Sequence, residues 1–238
     1  MKSIAKSHLT YLSIILVILS FLMVQCKPPE NANNDTILAA IALVVAQTAA
    51  NPSSSSGGSG NLRVFVTASS YNGNLGGING ADAKCASDAN KPSTGTYKAF
   101  ITGDSGANGR RYACINDGAV CPSNPTTGSK NWILQASKDY YRADQTTKVF
   151  TTDANGLITS ITNPVQAAAD AFWSGFVANS TTDWSIANAC ITGGMAWTDT
   201  SGVNNGNTGL ASSAAFAQLK ADSIPNCSGN KKLLCVEQ

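Results

Sequence analysis

Any chemistry in this chain would have to come from seven cysteines, fourteen carboxylates and one histidine. That histidine, His8, lies in a segment assigned below to an export signal, so the remainder has no imidazole for acid–base work or for metal binding. Serines are plentiful, but there is no G-x-S-x-G elbow and no histidine base, so serine-based acyl transfer is not expected. Glycoside hydrolysis needs two carboxylates brought together, whereas the acidic residues from Asp82 to Glu237 are scattered with no paired spacing. Only a carboxylate pair formed in space would make this chain an enzyme, and we expect no catalytic residue. Zinc would want short C-x₂-C knuckles, and none is present. Two fragments carry Asp and Asn at alternate positions before Gly, Asp104–Gly109 and Asp153–Gly156. Neither is followed by a bidentate Glu at the calcium-loop distance, so both read as turns. Gly73, Gly76, Gly77 and Gly80 match no phosphate-binding fingerprint and also read as a turn. No cofactor is expected.

The elements that position these residues begin with a leader. Lys2, Lys6 and His8 precede an apolar run, Leu12 to Val24, broken only by Ser13 and Ser20. This is the charged and apolar pattern of a secretory signal over residues 1–25; the run is shorter than the ~20 residues of a membrane-spanning helix. Leu22-Met23-Val24-Gln25-Cys26 resembles the lipobox of bacterial lipoproteins, in which the cysteine thiol receives a diacylglycerol and becomes the new N-terminus. Gln25 departs from the usual small residue, in the manner of the looser lipoboxes of spirochaetes. An ordinary secreted protein cut nearby is the competing reading. Loss of Lys2 and Lys6 would leave fourteen basic against fourteen acidic residues. With no net charge and no dense basic patch, a nucleic-acid partner is not expected, and attachment to a membrane would rest on the lipid.

Residues 26–61 have the composition of a tether, ending in the flexible Ser/Gly stretch from Ser53 to Gly60. Within it, Thr36 to Ala50 is apolar all round. It reads either as a helix that lies on the membrane or self-associates, or as a stalk with no specific role; the missing polar face favours the stalk. Residues 62–238 read as one domain. Arg63–Thr67 and Lys232–Val236 are strands by β-branched and apolar content. Gly80–Ala89 suits a short helix, as does Pro164–Phe172 with Asn163 as cap. Thr96–Thr102, Asn131–Leu134, Val149–Thr151 and Phe172–Val177 are short apolar runs between Gly, Asn and Pro turns. Only 13% of residues are charged. Terminal strands, irregular loops and few helices imply an α+β class.

With Cys26 set aside, six cysteines remain: Cys85, Cys114, Cys121, Cys190, Cys227 and Cys235. An even number in an exported domain argues for disulfides, and six allow fifteen connectivities. Cys114 and Cys121 flank a small loop and are natural partners by proximity. The order Ala81-Asp82 to Cys85, Gly95-Thr96-Tyr97-Lys98-Ala99-Phe100-Ile101, Phe172-Trp173-Ser174-Gly175, Cys190, Asn226-Cys227 and Leu233-Leu234-Cys235-Val236-Glu237 resembles endostatin and the C-type-lectin-like fold. It is most similar to spirochaete lipoproteins carrying an endostatin-like domain of unassigned function, over about residues 62–238. The resemblance implies a nested pairing, Cys85 with Cys235 and Cys190 with Cys227.

Sugar-binding members of that fold hold calcium with Glu-Pro-Asn or Gln-Pro-Asp and a later Trp-Asn-Asp. Here Asn124-Pro125 lacks the preceding carboxylate, and Trp184-Ser185 and Trp197-Thr198 lack the Asn-Asp. Calcium-dependent sugar binding is therefore not expected. Endostatin's zinc site uses histidines, which this domain lacks. Trp132, Trp173, Trp184 and Trp197 would suit a binding platform, but Trp173 reads as core, and Trp132 and Trp197 as core or disulfide contacts. Arg110-Arg111 and Tyr140-Tyr141-Arg142 are the better exposed candidates for contact residues; a solvated hairpin tip is the equal alternative. The resulting expectation is a bacterial outer-membrane lipoprotein displaying a calcium-independent adhesive domain. The resemblance implies host matrix or serum proteins as partners, such as laminin, fibronectin or a complement regulator. The alternatives are a structural envelope lipoprotein with only bacterial partners, or a carbohydrate-binding module.

Overall fold

A computed structural model describes residues 61–113, 129–178 and 183–238. The chain divides into two units, Met1–Gly58 and Ser59–Gln238, and every described residue belongs to the second. The leader, Cys26, Thr36–Ala50 and the Cys114–Cys121 pair lie outside the described residues.

The elements are β1 (Leu62–Val66), α1 (Gly77–Ser87), β2 (Tyr97–Ala99), β3 (Gly103–Asp104), a 3₁₀ turn (Gly106–Asn108), β4 (Arg110–Arg111), β5 (Asp139–Arg142), β6 (Lys148–Thr152), β7 (Ile158–Ile161), β8 (Ala171–Trp173), β9 (Thr208–Leu210), α2 (Phe216–Ala221) and β10 (Lys232–Glu237). The class is α+β, mostly sheet. Among the described residues, an eight-stranded sheet runs β7-β6-β5-β1-β10-β8-β9, with β2 also on β10, and β3 pairs with β4 apart from it. β10 is the hub: it runs antiparallel to β1 and β2 and parallel to β8.

Successive side chains of a strand point to opposite faces, and here both faces are covered. Val64, Val66, Phe100, Phe172, Leu234 and Val236 enter one core, with Tyr140, Phe150 and Trp184. Phe65, Ala99, Ile101, Trp173, Leu233 and Cys235 enter the other, with Ile78, Ala81, Cys85 and Trp197. A strand buried on both faces reads as a continuous apolar run, not an alternation, and β1 and β10 have that appearance in the sequence. On α1, Ile78, Ala81 and Cys85 form a buried stripe at helical spacing. The helix starts three residues before the expected Gly80, after Gly76 in left-handed backbone (φ 81°).

Covalent and ionic ties converge on the two long-range strands. Cys85 of α1 is bonded to Cys235 of β10 across a separation of 150 residues, a closure that stabilises by about 5 kcal/mol in the chain-entropy model. Cys190 is bonded to Cys227. Where the β1–β10 ladder ends, the Glu237 carboxylate accepts the Arg63 main-chain N–H at 2.9 Å and its guanidinium at 2.8 and 2.6 Å. Gly95 (φ 88°) lies so close that a Cβ there would stand 2.1 Å from Glu237 Oε1. Arg111 has no exposed side-chain surface and donates to both oxygens of Asp82, at 3.0 and 2.8 Å. It also donates to the carbonyls of Ala99 (2.7 Å) and Asn131 (3.0 Å). One guanidinium thus joins α1, β2, β4 and the segment before β5.

The tryptophans do not form an exposed platform. Trp173, Trp184 and Trp197 are fully buried and Trp132 is partly so. The indole N–H groups of Trp132, Trp173 and Trp197 donate to the carbonyls of Gly156, Tyr71 and Thr102, each at 2.8 Å. Pro164–Phe172 is not a helix. The Asn163 side chain donates to Lys148 O rather than capping, Gln166 N–H and Ala211 O bind the segment sideways at 3.1 Å, and Ala171–Trp173 joins the sheet as β8. The short helix α2 was not foreseen, and it carries a buried lysine. Lys220 is 1% exposed; its Nζ donates to Asp183 O and lies 4.7 Å from the Trp184 ring centroid.

Two predictions follow from these buried charges. Asp82→Asn leaves the Arg111 charge buried without its counter-charge, and urea unfolding should show a loss of about 3–5 kcal/mol; a change below 1 kcal/mol would show that the pair contributes little. Burial holds Lys220 down at about 8, so below pH 8 the folded state carries the full cost of the buried ammonium. Between there and the ordinary lysine value of about 10.4 the unfolded chain binds the extra proton, and stability rises with pH. Burial pushes Tyr140 up to about 12, and burial with the nearby Glu237 charge raises Tyr97. Both therefore make stability fall above pH 10. The denaturation midpoint should rise from pH 8 to about 10 and then fall, and Lys220→Met should flatten the rising limb alone.

Candidate functional site

The described residues between β8 and β9, 174–178 and 183–207, form a loop segment outside the main strands. Its return is pinned where Asn207 Nδ2 donates to Phe176 O at 2.7 Å. The Cys190–Cys227 bond, with Cα atoms 5.6 Å apart, staples the middle of it to the approach to β10. Around that bond the main chain is tied on several sides: Cys190 N–H to Asn205 O at 3.0 Å, Cys227 N–H to Asn204 O at 2.9 Å, and Gly73 N–H to Cys227 O at 2.8 Å. Gly73 is required there, since a Cβ would stand 2.4 Å from Cys190 Sγ. Thr192 and Met195 exchange main-chain hydrogen bonds around Gly193 (φ 56°) and Gly194 (φ 77°), a two-residue hairpin with positive φ at both centres. The buried Asp199 carboxylate accepts Ser201 N–H and the Asn204 amide, which hold it below the usual carboxylate range and fix the following turn.

On this frame Ala187, Asn188, Ala189, Ile191, Val203, Asn204 and Asn205 line an open groove of about 220 Å³. Every lining residue is uncharged. Large apolar side chains are exposed in its lining, Val203 at 85% and Ile191 at 42%; Met195, on the hairpin that follows Ile191, is 41% exposed. Among the described residues the fourth exposed large apolar side chain is Ile224, next to Pro225, whose carbonyl accepts Gly206 N–H at 3.0 Å. Such a groove offers amide hydrogen bonding with an aliphatic rim. It can cover part of another chain, but it carries no acid, base or nucleophile.

The contact residues expected from sequence are elsewhere, and two of them are not exposed at all. Arg111 is buried as the partner of Asp82. Tyr140 is buried because β5 lies inside the sheet between β1 and β6; its ring stacks on Phe150 at 4.8 Å and its hydroxyl accepts Gln135 N–H at 2.8 Å. Tyr140-Tyr141-Arg142 is therefore a strand with alternating faces, not a hairpin tip. Arg110 is partly exposed and paired with Asp104. Tyr141 and Arg142 are half-buried, and Arg142 lines a second cavity, of about 330 Å³, at the end of β5.

Asp104 accepts Gly106 N–H at 3.1 Å and pairs with Arg110. Asp153 accepts the N–H groups of Asn155 (2.8 Å) and Leu157 (2.9 Å). Both carboxylates are thus engaged in their own turns. Among the described residues there is no cluster of three or more His, Cys, Asp or Glu side chains able to hold a metal ion, and no helix long and apolar enough to cross a membrane. The groove residues had one sequence signal, the Gly193-Gly194 pair of a hairpin. Ile191, Met195 and Val203 show no periodicity.

No curated protein matches the chain. A family model described as "Protein of unknown function (DUF1554)" matches residues 68–214, a span that runs from just after β1 through β9 and takes in every residue of the groove. Matched over more than half its length, the chain belongs to the DUF1554 family.

Proposed function

We propose that this protein is a bacterial surface lipoprotein, anchored through Cys26, whose folded domain binds other proteins through the loop face between β8 and β9. The observation that carries this reading is the placement of exposed apolar side chains: Ile191 and Val203 both line a groove of uncharged residues on one disulfide-stapled segment, which also carries the exposed Met195. Isolated exposed apolar residues are ordinary, whereas a group of them rimmed by polar groups marks an interaction surface. No carboxylate lines the groove, which supports calcium-independent binding to host matrix or serum proteins. The nested disulfides and the antiparallel pairing of β1 with β10 support a C-type-lectin-like frame for that face. The structural envelope role remains the second reading, because the burial of Arg111 and Tyr140 removes the basic and aromatic patch an adhesin was expected to use.

The test is binding of the oxidised, lipid-free chain from Lys27 onward to immobilised laminin, fibronectin and serum proteins, with and without EDTA. Saturable binding that EDTA leaves unchanged and that Val203→Asp weakens about tenfold or more is the expected result. Binding to none of these at micromolar protein would favour the envelope role. Binding untouched by Val203→Asp and Ile191→Asn would move the site off the loop face.

A further inference from the structure

Three stretches of the chain meet at the loop face: residues 71–79, 184–210 and 223–230. Gly73 N–H donates to Cys227 O at 2.8 Å, Leu75 N–H to Trp197 O at 3.0 Å and Gly206 N–H to Pro225 O at 3.0 Å, and the Cys190–Cys227 bond joins two of the stretches covalently. Together they contain one charged residue, Asp199, which is 5% exposed and spends its carboxylate on Ser201 N–H and the Asn204 amide. The same stretches carry all four exposed large apolar side chains among the described residues, Ile191, Met195, Val203 and Ile224. Depletion of charge together with exposed aliphatic and Met side chains is the composition of the centre of a protein–protein interface.

Such a surface can meet its own copy without like-charge repulsion, which a twofold interface requires because each patch faces itself. Its shape supplies the second requirement, a projection beside a recess. The 192–195 hairpin is the projection: residues 191–195 are all exposed, and a Cβ added at Gly193 or Gly194 would have nothing within 4 Å. The recess is the groove of about 220 Å³, one of whose lining residues, Ile191, leads directly into the hairpin. Across a twofold axis the hairpin of each copy reaches the groove of the other, so the contact is made twice. The unbranched, polarisable Met195 side chain is suited to an irregular recess lined by Ile191 and Val203.

We propose that two copies of this chain pair through their loop faces, each placing its 192–195 hairpin in the other's groove. The inference rests on the reading of this face as a protein-binding surface, and it makes pairing and capture of another protein there mutually exclusive.

The chain has methionine only at positions 1, 23 and 195, so photo-methionine, a diazirine analogue, places a cross-linker at Met195 without a bulky label. The full chain in detergent, mixed from ¹⁴N and ¹⁵N preparations, is irradiated and its cross-linked peptides are mapped by mass. Mixed-isotope cross-links from position 195 onto residues 187–205 are expected, with a yield that holds between about 50 and 500 mM salt because no ion pair is made. Val203→Asp puts a charge into both grooves and should lower that yield about tenfold; the wild-type map decides the matter should the variant unfold. Cross-links from position 195 that stay within one copy, that land outside residues 187–205 of the other, or that vanish at the higher salt overturn the pairing. Binding of laminin, fibronectin or a serum protein without mixed-isotope cross-links overturns the pairing and leaves the protein-binding face standing. Mixed-isotope cross-links with no such binding support the pairing and overturn the host-protein partner.

Discussion

The packing of β10 between β1 on one edge and β2 and β8 on the other is the constraint on which the rest of this domain depends. Its six residues carry the inner half of the Cys85–Cys235 bond, the Glu237 carboxylate that receives Arg63, and side chains that enter both cores in alternation. A strand bonded on both edges and buried on both faces tolerates little change in register, since a one-residue slip would exchange the two apolar faces. Everything outside the sheet is hung from it. α1 is bonded to β10 covalently, the loop face is stapled beside the approach to it, and the β5–β6–β7 meander reaches it through β1.

This division of labour explains where the loop face lies. The described residues between β8 and β9 send Phe176, Trp184 and Trp197 into the cores and are held by a disulfide and turn hydrogen bonds, which leaves Ile191, Met195 and Val203 at the surface. The Arg142 cavity opens where the parallel strands β1 and β5 stop pairing and the chain turns away toward β6.

Sequence reading reached the parts of the fold that are encoded locally. β1 and β10 stood out as apolar, β-branched runs, α1 was recognised with a start three residues too late, and the α+β class followed from these. The two described disulfides agree with the resemblance-based pairing. Positions decided by distant partners were not legible. Tyr140 and Arg111 looked exposed because adjacent aromatic and basic residues resemble a surface patch, and only the sheet order and the position of Asp82 show otherwise. Pro164–Phe172 has the local marks of a helix start, but bonding to Ala211 and entry into the sheet override them. Ile191 and Val203 acquire meaning only once the groove they line exists.

The hub strand also sets the order in which the domain can mature. β10 follows every other described strand in sequence, so while the chain is being synthesised the middle of the sheet is missing and Cys85 has no native partner. Cys190 is available before Cys235 is, and a premature bond between early cysteines would have to be reshuffled before β10 could dock. High contact order of this kind slows folding. For a chain made from its N-terminus, a keystone strand that arrives last delays closure of the sheet until synthesis is nearly complete.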